Sequence, residues 1–198
     1  MVLEDDVYRD IAFEGDLPPS YFALAAGRGV LRIGSFSKTL APGLRLGWLI
    51  GEPEAIATCV NCGTTQMGGG ANPFVSSIVA QYLGNDRWEK DIKRLREIYR
   101  HRRDIALSAL ERFMPEGVQW TVPSGGIFLW LTLPPSVSVY ELQAASRQKG
   151  VIFSAGPGFY VDPDDGKFNL RLAYSFAAPE ELEEGIRLLA ETVEELSH

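Results

Sequence analysis

The chain has 198 residues, of which 45% are hydrophobic and 23% are charged, and its formal net charge is −7 at pH 7. These proportions are those of a globular protein and exclude a disordered or collagen-like chain. Nucleic-acid binding needs a basic surface, so an acidic chain is not predicted to bind nucleic acid. The apolar runs are far shorter than the roughly 18 to 20 residues that span a membrane. No basic and apolar leader opens the sequence, which therefore predicts a soluble, cytoplasmic protein.

The two cysteines, Cys59 and Cys62, form a C-x-x-C pair. This spacing suits a redox pair or half of a zinc site. A zinc site takes about four ligands, and the two histidines that could add to it, His101 and His198, lie far away in sequence. The pair also falls within residues 53–63, a predicted short helix. We therefore predict two thiols in a reducing compartment and no metal site.

The first part of the chain alternates apolar strands with helices. Strands are predicted at residues 2–3, 30–36 and 44–50. Asn72 is a predicted helix N-cap, because Pro73 takes the first helical position and an apolar segment continues to Leu83. Apolar strands that are separated by helices and loops indicate the α/β class.

A long amphipathic helix is predicted next, because Trp88, Ile92, Leu95 and Tyr99 recur at steps of four, three and four residues. It continues to Phe113 and is long enough to connect two domains. Beyond it the pattern is that of a compact α+β unit. Strands are predicted at residues 118–122, 127–133, 151–153 and 170–174, and helices at residues 139–149 and from Pro179 onwards. We place the boundary near residue 95 and predict domains at 1–95 and 96–198.

Lys38 occupies a position unlike that of the other four lysines. It directly follows the predicted strand 30–36, within Gly-Ser-Phe-Ser-Lys-Thr-Leu-Ala-Pro-Gly-Leu-Arg. Open α/β sheets bind ligands at the carboxyl ends of their strands, and a partly desolvated amine there can attack a carbonyl. Ser35, Ser37 and Arg45 supply the donors that a phosphate needs. The alternative is a solvated lysine at a domain edge.

The segment from Ser35 to Trp48 closely resembles the cofactor-lysine segment of fold-type I, class I/II aminotransferases, which depend on pyridoxal 5′-phosphate. The resemblance implies that Lys38 forms a Schiff base with this cofactor and that Ser35, Ser37 and Arg45 bind its phosphate. It also implies the fold: an α/β chain made of part of the large-domain sheet with its helices, a long connecting helix and a C-terminal α+β small domain.

Three other segments are similar to the same family. Leu-Glu-Asp-Asp-Val-Tyr at residues 3–8 resembles the Asp-x-x-Tyr element, which implies that Asp5 faces the pyridine nitrogen and that the Tyr8 hydroxyl bonds the phenolic oxygen. Asn-Leu-Arg-Leu-Ala-Tyr-Ser at residues 169–175 resembles the late strand whose arginine, here Arg171, binds the substrate α-carboxylate. Pro-Ser-Gly-Gly-Ile-Phe at residues 123–128 resembles a segment of the family's small domain, which implies a structural role in which two glycines allow a tight bend. Without the resemblance, two other interpretations remain open, namely that Asp5 simply ends a solvated strand and that Arg171 faces water.

The implied reaction is the transfer of an amino group between an amino acid and a 2-keto acid. Lys38 would move the α-proton while Asp5 keeps the ring nitrogen protonated. The motifs look most like the subgroup that contains aminoadipate, kynurenine, branched-chain and aromatic transaminases. A lyase that uses the same cofactor remains open, as does a non-catalytic fragment or the effector half of an aminotransferase-like transcription regulator.

Subunits of this family are about twice as long, and the resemblance covers only their C-terminal half. The sequence therefore predicts a truncated chain that exposes a sheet edge and apolar faces. The phosphate-binding helix N-terminus of the family lies in the half without a counterpart here. We expect the chain alone to bind cofactor weakly or not at all, and to associate with itself, as a homodimer, or with a complementary fragment.

Overall fold

The computed structural model describes residues 1–84 and 86–197. Asn85 lies outside this range, as does His198, which was considered above as a zinc ligand and ends the predicted domain 96–198. The chain divides into two compact units, Met1–Glu97 and Ile98–His198, and the roles predicted for domains 1–95 and 96–198 stay predictions. No helix in the described part of the chain has both the length and the apolar character to cross a membrane.

The sheet of the first unit brings the ends of two parallel strands to one edge. β1 (Val2–Asp5) pairs in parallel with β2 (Val30–Ser35), which pairs antiparallel with β3 (Gly47–Ile50), in the order β1-β2-β3. Asp5 is in register with Ile33. Asp5 and Ser35 therefore leave the sheet at the same carboxyl edge, where open α/β sheets bind ligands.

The third strand is shorter than the predicted strand 44–50. Pro42–Leu44 forms a 3-10 turn, and Arg45 then adopts a left-handed backbone, so β3 begins only at Gly47. An apolar sequence does not reveal this interruption, because no glycine marks the left-handed position.

The helices of the first unit are α1 (Tyr21–Leu24), α2 (Pro53–Val60), α3 (Pro73–Leu83) and the first part of α4 (Arg87–Phe113). The helix α1 was not predicted from the sequence. The helix predicted over residues 53–63 ends at Val60, so Cys62 lies beyond it. The Asn72 Oδ1 accepts the amide hydrogens of Phe74 at 3.0 Å and Val75 at 3.2 Å. The predicted N-cap is therefore confirmed, with α3 at its predicted bounds.

The strands at the edges of this sheet expose large apolar side chains. Val2 and Leu3 in β1 are exposed, and so are Leu49 and Ile50 in β3, whereas Val30 and Leu31 in the central β2 are buried. This distribution agrees with the predicted exposure of apolar faces.

The second unit is an antiparallel sheet covered by helices. The sheet order is β4-β5-β7-β6, and α5 (Val139–Gln148) and α6 (Pro179–Leu196) are its main helices after the end of α4. Its strands are β4 (Gln119–Trp120), β5 (Phe128–Thr132), β6 (Ser154–Ala155) and β7 (Asn169–Ala173).

The predicted strand 151–153 is wrong. Val151 and Phe153 are buried, but the residues that pair with β7 are Ser154 and Ala155. The side chains of Val151 and Phe153 are buried in the core, but the backbone of residues 151–153 does not pair with another strand. A short apolar run therefore did not locate the strand correctly.

One face of this sheet forms the core of the second unit. Leu129 and Leu131 in β5 and Leu170 and Leu172 in β7 are buried in one cluster with side chains of α5 and α6. The apolar stripe predicted for the last helix lies in this cluster, with Leu182, Ile186, Leu189 and Val193 buried and Leu196 partly buried.

Leu131→Ala is expected to destabilise the second unit strongly. Leu131 is fully buried, and removing a buried leucine side chain costs about 2 to 5 kcal/mol because a cavity remains. Urea unfolding followed by tryptophan fluorescence measures the effect. Val161→Ala is the control, since Val161 is fully exposed and a surface change alters stability by about 0.5 kcal/mol or less. Equal effects of the two substitutions would contradict the placement of Leu131 in the core.

Candidate active site

Lys38 lies in the turn that follows β2. The Phe36 carbonyl accepts the amide hydrogens of Leu40 at 2.8 Å and Ala41 at 3.1 Å, which closes the turn. The Lys38 side chain is half-buried, and its Nζ lies 5.7 Å from the centre of the Tyr8 ring. Among the ion pairs of the described residues, none involves Lys38. The amine is therefore placed against a tyrosine and is not held by a carboxylate.

A close packing contact sets the position of this turn. A Cβ added to Gly34 would lie 2.0 Å from Cζ2 of Trp48. Only glycine therefore lets the indole of β3 pack directly on β2. Since Lys38 lies between these two strands, this contact also fixes the ends of the loop that carries it.

The three residues predicted to bind phosphate lie at the two ends of the same loop. The Ser37 amide donates to the Ser35 Oγ at 3.1 Å, and both serines are half-buried. Arg45 is exposed, has φ 47° and ψ 41°, and donates from Nη1 to the Pro42 carbonyl at 3.3 Å. These three residues thus bring two hydroxyls and one guanidinium to the loop.

Two adjacent carboxylates at the end of β1 have different partners. The Asp6 carboxylate accepts the Arg32 Nε–H at 2.8 Å, whereas the Asp5 Oδ1 accepts only the weaker Val7 amide contact at 3.3 Å. Asp5 is exposed and is in none of the ion pairs among the described residues. Asp5 is therefore the less engaged of the two carboxylates, and its predicted role opposite a pyridinium stays a prediction.

Sequence reasoning missed Thr39, the residue after Lys38. Its Oγ1 is buried and, within residues 1–84 and 86–197, has no hydrogen-bond partner. A buried hydroxyl without a partner is costly, and its place beside the lysine was the signal that could have identified it. Hydroxyls at positions 35, 37 and 39 and a guanidinium at position 45 fit a phosphate monoester, which binds several donors and a cation.

Arg171, the predicted substrate-binding arginine, lies in β7 of the second unit. Its guanidinium Cζ is 4.0 Å from the centre of the Phe128 ring and 4.5 Å from that of Phe159. Its Nε is buried and has no hydrogen-bond partner among the described residues. The alternative of an arginine freely facing water does not hold for this buried nitrogen.

The bend predicted at residues 123–128 is a structural element. Gly126 has φ 83°, a left-handed conformation suited to glycine. Its carbonyl accepts the Tyr174 hydroxyl at 2.8 Å. Burial raises the pKa of Tyr174, so the phenol stays protonated and keeps donating this hydrogen bond.

The C-x-x-C pair consists of free thiols, with Cys59 half-buried and Cys62 exposed. Hydrogen bonds with the Thr65 hydroxyl and backbone lower the pKa of Cys62, whose Sγ lies 3.3 Å from the Thr65 Oγ1. In the described part of the chain, histidine, cysteine and acidic side chains form no group that could hold a metal.

Comparison with known proteins assigns the family. The profile of the family described as "Aminotransferase class I and II" matches residues 1–189. The chain belongs to the class I and II aminotransferases. The resemblance predicted from the segment around Lys38 is thereby confirmed, and so is the α/β fold class.

Curated relatives of this aminotransferase chain are longer than the chain itself. "Aromatic-amino-acid aminotransferase 1" of Thermococcus litoralis is 35% identical over 98% of the chain and 46% of its own length. "Uncharacterized HTH-type transcriptional regulator YdfD" of Bacillus subtilis is 33% identical over 99% of the chain and 40% of its own length. The chain thus spans about half the length of the curated relatives it matches, or less.

A solved aminotransferase shares the fold. LysN, the alpha-aminoadipate aminotransferase of Thermus thermophilus, superposes with a TM-score of 0.89 at 33% identity, over 98% of this chain and 50% of its own. That structure is described as a complex with N-(5′-phosphopyridoxyl)-L-leucine.

Proposed function

We propose that this aminotransferase chain serves the pyridoxal 5′-phosphate-dependent transfer of an amino group between an amino acid and a 2-keto acid. The observation that carries the proposal is the Lys38 amine, which lies 5.7 Å from the Tyr8 ring centre and has no ion-pair partner among the described residues. The phosphopyridoxyl-leucine named for LysN supports the class of cofactor and of substrate.

Residues of the Lys38 loop are proposed to hold the cofactor. Ser35, Ser37 and Arg45 would bind its phosphate, and the Lys38 amine would condense with its aldehyde, releasing water. Thr39 adds a buried hydroxyl beside them. These donors follow a strand end, as anion-binding loops of α/β sheets do.

The bound cofactor supplies an electron sink that stabilises negative charge at the substrate Cα. Lys38, once its amine is free, would take the proton from the substrate Cα as a general base and then deliver it, as an acid, to the cofactor carbon. Asp5 would keep a proton on the ring nitrogen, because a carboxylate stabilises the adjacent positive charge. Tyr8 would donate a hydrogen bond to the phenolic oxygen, and Arg171 would bind the substrate α-carboxylate through its planar fork.

The remaining proposals concern the organisation of the protein. Residues 1–95 are proposed to belong to the cofactor-binding domain and residues 96–198 to form the small domain. Exposed apolar residues of β1 and β3 support self-association, with a homodimer as the proposed form, because contiguous apolar surface is seldom left in water. We propose a cytoplasmic location, which is typical of the aminotransferase family.

Borohydride trapping is expected to label Lys38 selectively. The chain is incubated with a large excess of pyridoxal 5′-phosphate, which offsets the weak binding expected of the chain alone, and is then reduced with borohydride, digested and analysed by mass spectrometry. The adduct is expected on Lys38 in preference to Lys90, Lys93, Lys149 and Lys167, because Lys38 belongs to the same loop as the proposed phosphate donors. Uniform labelling of the five lysines, or labelling that spares Lys38, would refute the proposal.

A second candidate is the effector-binding half of a transcription regulator, and the similarity to YdfD favours it. Such a half would also be labelled at Lys38. Adding an amino acid and an acceptor 2-keto acid separates the two candidates. In a separate sample that has not been reduced, an aminotransferase exchanges the amino group between them, whereas an effector-binding half forms no new keto acid.

A further inference from the structure

The two cysteines lie at the two ends of one turn, at the end of α2. The helix ends at Val60, and the Cys62 amide donates to the Cys59 carbonyl in a long hydrogen bond of 3.4 Å. Side chains three residues apart in such a turn have Cβ atoms about 5 to 6 Å apart, and a disulfide needs about 3.5 to 4.5 Å. Because Cys62 lies outside the helix, a movement of roughly 1 to 2 Å there brings the two sulfurs into bonding range without breaking a hydrogen bond within α2.

The Thr65 side chain contacts both cysteines. Its Oγ1 donates to the Cys59 carbonyl at 3.0 Å and lies 3.3 Å from the Cys62 Sγ. A hydroxyl can rotate, so the same group can donate to a thiolate at Cys62. Hydrogen bonds with the Thr65 hydroxyl and backbone lower the pKa of the Cys62 thiol. Since the thiolate is the form that reacts with oxidants, Thr65 favours the reactive form of Cys62.

The two cysteines differ in their access to solvent. Cys62 is exposed, whereas Cys59 is half-buried. Cys59 lines a cavity between α2 and the sheet of the first unit, together with residues that include Ile56, Val60 and Trp48. Open space beside Cys59 lets its side chain rotate without displacing a packed neighbour. An oxidant in solution therefore reaches Cys62 first, and Cys59 is the one other thiol of the chain.

We propose that Cys59 and Cys62 are a peroxide-reactive pair, in which a hydroperoxide oxidises Cys62 and Cys59 then converts it into a disulfide. The shared turn, the exposure of Cys62 and the contacts of Thr65 with both residues carry this assignment. The pair rests as two free thiols and is oxidised only when a hydroperoxide is present. This inference uses no residue of the Lys38 loop and does not depend on the proposed amino transfer.

The oxidation consists of two balanced steps. The Cys62 thiolate attacks one oxygen of the hydroperoxide, the O–O bond breaks, and the leaving oxygen takes a proton from solvent and becomes an alcohol, or water in the case of hydrogen peroxide. Cys62 is then a sulfenic acid. The Cys59 thiol loses its proton and attacks the Cys62 sulfur, an S–S bond forms, and the departing hydroxide takes that proton as water. Two electrons thus pass from the thiols to the hydroperoxide.

Peptide mapping of the oxidised chain tests the pair directly. The whole chain is reduced, freed of reductant, treated at low concentration with an equimolar amount of hydrogen peroxide, alkylated and digested with trypsin. The peptide that carries both cysteines is expected to have lost two hydrogen atoms and to resist alkylation until a dithiol reductant is added. Electrophoresis without reductant is expected to show single chains, because the disulfide forms within one turn.

Substitution of each cysteine tests the order of the two steps. Cys59→Ser is expected to stop the reaction at the sulfenic acid of Cys62, which dimedone labels. Cys62→Ser retains the half-buried thiol alone, and labelling of Cys59 is expected to be at least about tenfold slower, because exposure and thiolate fraction set the rate. Serine at the exposed position 62 is expected to leave the circular dichroism of the chain unchanged.

The role of Thr65 is tested in the Cys59→Ser chain. Adding Thr65→Val removes the hydroxyl and is expected to slow the oxidation of Cys62 by at least about threefold at neutral pH, because the pKa of the thiol rises and less thiolate is present. The pH at which alkylation of Cys62 reaches half its maximal rate is expected to rise as well. Thr58→Val is the matched control, since the Thr58 hydroxyl donates to the Glu54 carbonyl at 2.9 Å, and it is expected to leave the rate and the pH profile unchanged.

Three results would overturn the inference. Disulfides that form only between chains, or oxidation only to sulfinic acid, would show that the two thiols do not act as a pair. Equal rates of dimedone labelling in the two single variants would refute Cys62 as the site of attack. An unchanged pH profile in the Thr65→Val chain would refute the role of the hydroxyl. Failure of borohydride trapping at Lys38 with an intact disulfide reaction would reject the proposed function and retain this inference.

Discussion

Lys38→Arg is expected to abolish covalent capture of pyridoxal 5′-phosphate and to lower the rate of amino transfer in the active protein by at least about 10³-fold, the range of a lost general base. A guanidinium stays protonated in proteins, so it can neither attack the aldehyde nor accept the α-proton. The charge and most of the length of the side chain are retained, which separates loss of the amine chemistry from loss of a positive charge. Absorbance of the bound cofactor and formation of keto acid measure the two effects.

Lys167→Arg is the matched control for this substitution. The Lys167 Nζ lies 5.3 Å from the centre of the Phe168 ring, an environment similar to that of Lys38 over Tyr8. The control is expected to keep the full rate and the full cofactor absorbance. Substantial activity in Lys38→Arg would show that the reaction does not use this amine.

Asp5→Asn is expected to lower kcat by about 10²- to 10³-fold, the usual effect of removing one preorganised electrostatic partner from a reacting group. An amide cannot stabilise a proton on the ring nitrogen as a carboxylate does, so the loss falls on turnover while KM changes little. Steady-state kinetics of the active protein separate the two parameters. A wild-type kcat would refute the assignment of Asp5.

Asp6→Asn distinguishes this role from a general need for negative charge at the end of β1. Asp6 is paired with Arg32, so its loss is expected to reduce the free energy of unfolding by about 1 to 3 kcal/mol and to leave kcat near the wild-type value. An equal loss of kcat in the two variants would contradict the separate roles.

Local signals explain the parts of the fold that the sequence predicted well. The Asn72 side chain caps α3 within its own first turn, and the stripe through Ile92 and Tyr99 lies within one helix, α4. Both features depend on residues a few positions apart. By contrast, β6 is defined by its pairing with Arg171 and Leu170, which lie more than ten residues away in sequence. A strand of two residues is also too short to show a periodic pattern.

The residues of the candidate site differ in the same way: some are identified by local motifs and others only by packing between distant segments. The approach of Lys38 to Tyr8 follows from two parallel strands that end at one edge, and the motif around each residue was readable. The cover that Phe159 provides over Arg171 depends on a 3-10 turn twelve residues before the arginine. Neither composition nor spacing indicates that the Phe159 ring contacts the Arg171 guanidinium. The burial of the Thr39 hydroxyl without a hydrogen-bond partner among the described residues likewise depends on packing.

The backbone at Arg45 has a consequence for efforts to engineer a more heat-resistant chain. Arginine holds a left-handed conformation there, which costs an ordinary residue roughly 1 to 2 kcal/mol and costs glycine nothing. A design procedure that scores stability alone would thus choose glycine at position 45. That substitution would delete the guanidinium that is proposed to bind phosphate, so the more stable chain is expected to bind phosphate less tightly.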